Sequence, residues 1–161
     1  MTPGATLDLI LWRHAEADDH HDDLKRELTR HGRQQAERTA AWLARQLAGH
    51  KLAVVTSEAR RAQQTASALT ADFRIDARIN PDVSSVNDYL QAAGWPNPAS
   101  DVTLLVGHQP TIGRLVSVLL HGVEQDLPVK KSSIWWLQRR VRDGNVQYVL
   151  KASISPDLLP D

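Results

Sequence analysis

Three short apolar runs, at residues 7–12, 52–56 and 102–106, each stop abruptly at polar or charged side chains. They constrain this chain most, because the stretches between them carry a different period. Ala36, Ala40, Leu43 and Leu47 recur at steps of four and three, one core-facing stripe of a helix. Ala62, Ala66 and Leu69 continue the pattern after the second run, and residues 112–120 form a further helix after the third. Strand and helix in alternation predict a mainly parallel sheet with right-handed crossovers, its strand carboxyl ends gathered at one edge. The expected fold class is α/β, a three-layer α/β/α sandwich with a mostly parallel central sheet. At 161 residues the chain is expected to make one domain and to bury a substantial core.

Punctuation between these elements is readable. Thr29 is the expected N-cap of the first helix and Gly49 its stop signal. Arg33, Glu37, Arg38 and Arg45 fall off the apolar stripe and are expected in solvent. Ser57 is the expected N-cap of the second helix, which puts Arg60 and Arg61 in its first turn. Residues 73–79 alternate like an edge strand until Asn80-Pro81-Asp82 breaks them. A helix is expected over 84–93 with Val86, Tyr89 and Leu90 inward, followed by a turn-rich connector at 94–98. Gly122 closes the helix at 112–120. Residues 132–141 and 146–153 flank Arg142-Asp143-Gly144-Asn145, a hairpin signal, and the adjacent Trp135 and Trp136 must point to opposite faces. The loop Ala17-Asp18-Asp19-His20-His21-Asp22-Asp23 has metal-ligand residue types, but adjacent ligands need a fixed scaffold to converge. It reads as a solvated, partly mobile loop.

Composition excludes several classes. Lysine plus arginine and aspartate plus glutamate number 19 each, so no global field favours nucleic acid or an anionic membrane. The chain has no cysteine, hence no disulfide, thiolate metal site or cysteine nucleophile. No apolar run approaches the ~20 residues that cross a bilayer. The opening six residues are too short and uncharged for a signal sequence, and a cytoplasmic protein is expected.

The chemistry gathers where the strands end. Arg13 offers a rigid donor fork for phosphate or carboxylate oxygens. His14 offers a ring nitrogen that is largely neutral near pH 7. Arg60 and Arg61 sit where a helix dipole disfavours cations, which is best tolerated beside an anion. Gly107-His108 ends the third run. Here the sequence resembles the histidine phosphatase superfamily, also called the phosphoglycerate mutase-like family. Arg13-His14-Ala15 matches its Arg-His-Gly signature, Ser57 to Thr65 its Ser-x-x-x-Arg-Ala-x-Gln-Thr context with Arg61, and Gly107-His108 its later Gly-His. Arg26-Glu27-Leu28-Thr29, Gly32, Gln35-Ala36 and Val106-Gly107-His108-Gln109-Pro110 are most similar to the small SixA-type phosphohistidine phosphatases. Ala15 departs from the family glycine, Glu58 stands where proline is common, and Arg60 competes with Arg61 for the motif position, although Ala62 and Thr65 favour Arg61.

The resemblance implies a phosphoglycerate mutase-like fold and a two-step phosphoryl transfer through phosphohistidine on His14. Arg13, Arg61 and His108 would surround the phosphoryl oxygens, with Arg26, Ser57 and Gly107 as substrate-binding positions. Asp82 matches the position of an acidic proton donor, and Glu16 is nearer in sequence. Neither a metal nor another cofactor is implied, since arginines supply the positive charge. The expected partner is a phosphorylated protein, such as a histidine-phosphotransfer domain or a phosphocarrier, because a chain without a long lid insertion suits a protein side chain. The rivals are a general phosphomonoesterase or mutase on small phosphorylated metabolites and a catalytically silent phosphoprotein-binding module.

Overall fold

The computed structural model describes residues 6–161; the leader assessment above falls largely on residues 1–5, outside the described residues. Its centre is a six-stranded sheet. The strands are β1 (Leu7–Arg13), β2 (Leu52–Thr56), β3 (Arg74–Ile75), β4 (Val102–Gly107), β5 (Ile134–Arg142) and β6 (Asn145–Ile154), in the order β3-β2-β4-β1-β5-β6. β1 to β4 run parallel, whereas β5 is antiparallel to β1 and β6 to β5, which makes the sheet mixed. The hairpin joining β5 and β6 turns on Asp143 and Gly144, both with positive φ (53° and 77°), as a two-residue connection matched to strand twist requires.

Helices cover both faces. α1 (Arg30–Gln46) and α2 (Arg60–Ser67) pack with Ile10, Trp12, Leu104 and Val106 on one side. α3 (Val86–Ala92) and α4 (Thr111–His121) pack with Leu9, Leu11 and Leu105 on the other. Alternate residues of the central strands thus feed two separate cores, which explains why β1 and β4 are mostly apolar and buried almost throughout. Trp136 joins the first core and Trp135 lies against the second. Thr29 caps α1 by accepting from the Gly32 amide. Gly32 itself allows α1 to dock, because a Cβ there would collide with the Glu16 carbonyl. Among the described residues no helix is long and apolar enough to cross a membrane.

Three expectations need correction. The strand expected over 73–79 is only Arg74–Ile75; Asp76 then accepts from the Arg78 amide and starts a 3-10 turn at Ala77–Ile79. Its carboxylate binds both Arg74 and Arg78, a competing partner that alternation alone does not register. Ser57 does not cap α2, whose N-cap is Ala59 without any side-chain bond. The acidic loop is not merely solvated: Ala17 bridges to Leu28, and Asp23–Lys25 forms a 3-10 turn tied to the helix behind it.

Candidate active site

Sheet register assembles the site. β1 and β4 pair with Arg13 opposite Gly107, and β2 and β4 pair with Thr56 opposite Val106. The residues that follow, His14, His108 and Ser57, therefore come off three adjacent strands at one level. The His14 amide donates to the Gly107 carbonyl at 3.1 Å, and the two imidazole rings lie with centroids 5.1 Å apart. Gly107 is required for close approach: a Cβ there would overlap the Tyr89 hydroxyl, which accepts from the His108 amide at 2.9 Å.

The two rings are held by different partners. His14 Nδ1 donates to its neighbour, the Ala15 carbonyl, at 2.7 Å, leaving a lone pair on Nε2. Arg61 Nε donates to that lone pair at 3.4 Å. Ser57 Oγ accepts from the Ala59 amide at 3.2 Å and shares a hydrogen bond of 2.7 Å with His108 Nε2. His108 Nδ1 is buried and has no partner. Arg13 NH1 donates to the Val129 carbonyl at 2.8 Å, while its Nε is likewise buried without a partner.

The electrostatics favour an anion. Burial, together with the cationic neighbours, pushes His14 down to about 3 and His108 to about 2, so both rings are neutral near pH 7. Burial, then the charge of Arg61, lowers Arg13. Burial also lowers Arg61, although Asp23 opposes the shift. Among the described residues Arg13 has no carboxylate partner. Arg61 reaches Asp23 through NH2 to Oδ2 at 3.2 Å and NH1 to the backbone carbonyl at 2.8 Å. A buried cation is costly without a counter-charge, so a tetrahedral dianion meets donors already held in place.

The remaining sequence candidates fall at different distances from this centre. Arg60 is exposed and paired with Glu27 at 2.8 Å, so the buried member of the arginine pair is Arg61. Arg26 donates to the carbonyls of Asp18 and Ala17, and its charge acts on both histidines. Glu16 is held by the Thr29 hydroxyl at 2.6 Å. Asp82 is exposed on a left-handed backbone (φ 70°), and its charge acts on Arg61. Sequence reasoning missed Asp23, whose identity inside an acidic run gave no signal, and Tyr89, read only as a core residue. Thr65 lay in a quoted motif, and its hydroxyl accepts from the Ala15 amide at 3.0 Å.

Comparison with known proteins follows the same lines. The family model described as histidine phosphatase superfamily (branch 1) matches residues 9–87. No curated protein matches the sequence. Among solved structures, the assigned phosphohistidine phosphatase SixA of Nakamurella multipartitia is 22% identical with a TM-score of 0.76, covering 96% of this chain and 99% of that one. The protein histidine phosphatase SixA complexed with tungstate is 24% identical at TM-score 0.74, covering 94% and 99%. A mycobacterial glucosyl-3-phosphoglycerate phosphatase is 22% identical at TM-score 0.62, covering 91% and 97%. At these identities the likeness is one of fold. The matched segment, 79 of the 161 residues, holds Arg13, His14 and Arg61, and the chain shares the fold of these histidine phosphatase structures from end to end.

Proposed function

We propose that this protein is a phosphohistidine phosphatase working through a covalent intermediate on His14. The observation that carries the reading is the pair of buried, unpartnered nitrogens, Arg13 Nε and His108 Nδ1, beside a neutral imidazole whose lone pair is on Nε2. His14 Nε2 would attack phosphorus, forming an N–P bond as the bond to the leaving imidazole breaks. Arg61 Nε, which rests on that same nitrogen, would turn to a phosphoryl oxygen, and Arg13 and His108 would donate to the others. Water then attacks the phosphoenzyme, releasing inorganic phosphate and restoring His14. The tungstate-bound SixA structure holds a tetrahedral oxyanion of similar shape, which supports an anion here.

The carboxylates support this substrate class: among the described residues Asp23 contacts Arg61, and none contacts His14 or His108. Asp23 is the carboxylate that touches the site, and although burial raises it, Arg61 and Arg26 lower it further. It stays ionised and is a poor proton donor. An alkoxide leaving group needs a strong acid, whereas a phosphoramidate nitrogen departs readily. Leu24 and Val83, in the loops beside Asp23 and Asp82, are exposed at 38% and 79%, which suits a macromolecular partner.

The test incubates wild type and His14→Ala with phosphohistidine-labelled domains and with a panel of small phosphomonoesters. Wild type should clear the phosphohistidine and leave an acid-labile phosphoryl group mapped to His14, and the variant should lose at least about 10⁴-fold in rate. Faster turnover of the small esters would overturn the substrate. Equal background rates in both proteins would leave a silent binding module.

A further inference from the structure

A groove of about 350 Å³ is lined by Arg13, His31, Gln35, Arg38, Lys130 and Lys131, with Asp157 as its carboxylate. Four permanent cations thus line it in a chain whose charges cancel overall, 19 against 19. The balance inside is thin. Lys130 meets Asp157 at only 3.9 Å, with both side chains largely in water (75% and 61% exposed), a contact worth little and easily exchanged. Lys131 has no ion pair among the described residues, and Arg38 holds the terminal Asp161.

A second arginine-lined cavity shows what neutrality looks like. There Arg74 and Arg78 both close on the Asp76 carboxylate, at 2.8 and 2.7 Å. Nothing comparable quenches Lys130 and Lys131, which sit on the segment leading from Val129, the residue that fixes Arg13.

We propose that this groove docks an acidic segment of the phosphorylated partner protein, its carboxylates on Lys130 and Lys131 and its phosphoryl group at Arg13. The inference rests on the phosphohistidine reading above and names the surface chemistry of the partner. An open, multi-cation groove that shares Arg13 with the candidate site recruits such a partner by field as well as by contact, which raises association rates and makes them salt-dependent. Lys130 and Lys131 touch no reacting group, so substitution there spares the chemistry.

The experiment compares wild type with Lys130→Glu/Lys131→Glu in two assays. Anisotropy of a fluorescein-labelled Glu/Asp-rich peptide reads the groove without any reaction. Turnover of a phosphohistidine domain with acidic surroundings, beside turnover of free phosphoramidate, reads its use. The variant should lose peptide binding and roughly 10–100-fold in kcat/KM on the domain, with phosphoramidate turnover unchanged. Conservative Lys130→Arg/Lys131→Arg should retain both. Peptide binding that is absent in wild type, or equal in wild type and the charge-reversed variant, overturns the proposal. Displacement of the peptide by pyrophosphate at a far lower concentration than by acidic peptide overturns it in favour of a second phosphate on a small ligand. If wild type spares phosphohistidine yet binds the peptide through these lysines, the reaction is wrong and the acidic docking surface stands.

Discussion

The two ends of β1 handle buried charge in opposite ways. At the amino end, Asp8 is buried and fully answered: Trp136 Nε1, Gln138 Nε2 and Lys151 Nζ donate to its carboxylate at 2.9, 3.0 and 3.1 Å. Lys151 also lies 4.7 Å from the Trp136 ring centroid. That cluster staples β1 to β5 and β6 and asks for nothing more. At the carboxyl end, Arg13 and His108 carry nitrogens that the fold leaves unpaired. Of the four buried side-chain polar atoms without a partner among the described residues, three belong to Arg13, its neighbour Ser133 and His108. Native proteins satisfy buried polar groups almost everywhere, so a concentration of exceptions marks a place shaped for a ligand.

The comparison breaks most sharply if both ends respond alike to mutation. His108→Ala should lower kcat roughly 10²–10³-fold. Its unfolding free energy should fall by only about 1 kcal/mol, the worth of the Ser57–His108 hydrogen bond, because Nδ1 contributes no bond to the fold. Asp8→Ala should do the reverse. It strips a buried indole N–H and an amide of their acceptor, at a cost of about 2 kcal/mol, with kcat unchanged. Urea unfolding and single-turnover rates on the same preparations decide it. A His108 variant that unfolds readily would make the carboxyl end a structural cluster like the other.

Acidity sharpens the same contrast by a smaller amount. Unfolded histidines titrate near ~6.5, whereas the folded values are about 3 for His14 and about 2 for His108. Between those limits the unfolded chain binds protons that the folded one refuses. Stability is therefore full above ~6.5 and falls as pH drops from there toward the folded values. Denaturant midpoints should decline between about pH 6.5 and 5, above the ordinary carboxylate range, and decline less in a His14→Ala/His108→Ala double variant. Imidazole nitrogen shifts of both rings should stay those of neutral histidine over this interval. A ring that titrates near pH 6.5 would mean the pocket is wet.

Much of this was legible before any coordinates. Apolar runs that change period into helices dictate a sheet with one functional edge, and three polar endings on that edge name its residues. Pairing partners were harder to see. Asp76 pulls Arg74 and Arg78 into a turn and cuts a strand short, and Asp23 reaches Arg61 from 38 positions away. Ser57 has the composition of a helix cap but spends its hydroxyl on His108. In each case a short polar side chain had two chemically equivalent uses, and only the tertiary fold selected one.

Ala15 is the finest test, because a methyl group stands where the family has glycine. Its backbone is already spent on the site: the amide donates to Thr65 and the carbonyl fixes the His14 tautomer. The methyl is fully buried, in a small cluster with Leu28 and Ala36, so it packs the loop against α1. Ala15→Gly should therefore cost about 1 kcal/mol of stability, from one lost buried methyl and a freer unfolded backbone. The accompanying change in kcat/KM should stay below about threefold, under 1 kcal/mol in the barrier. A tenfold gain in rate would instead place the methyl in the path of the phosphoryl group, and the packing role assigned to it would fail.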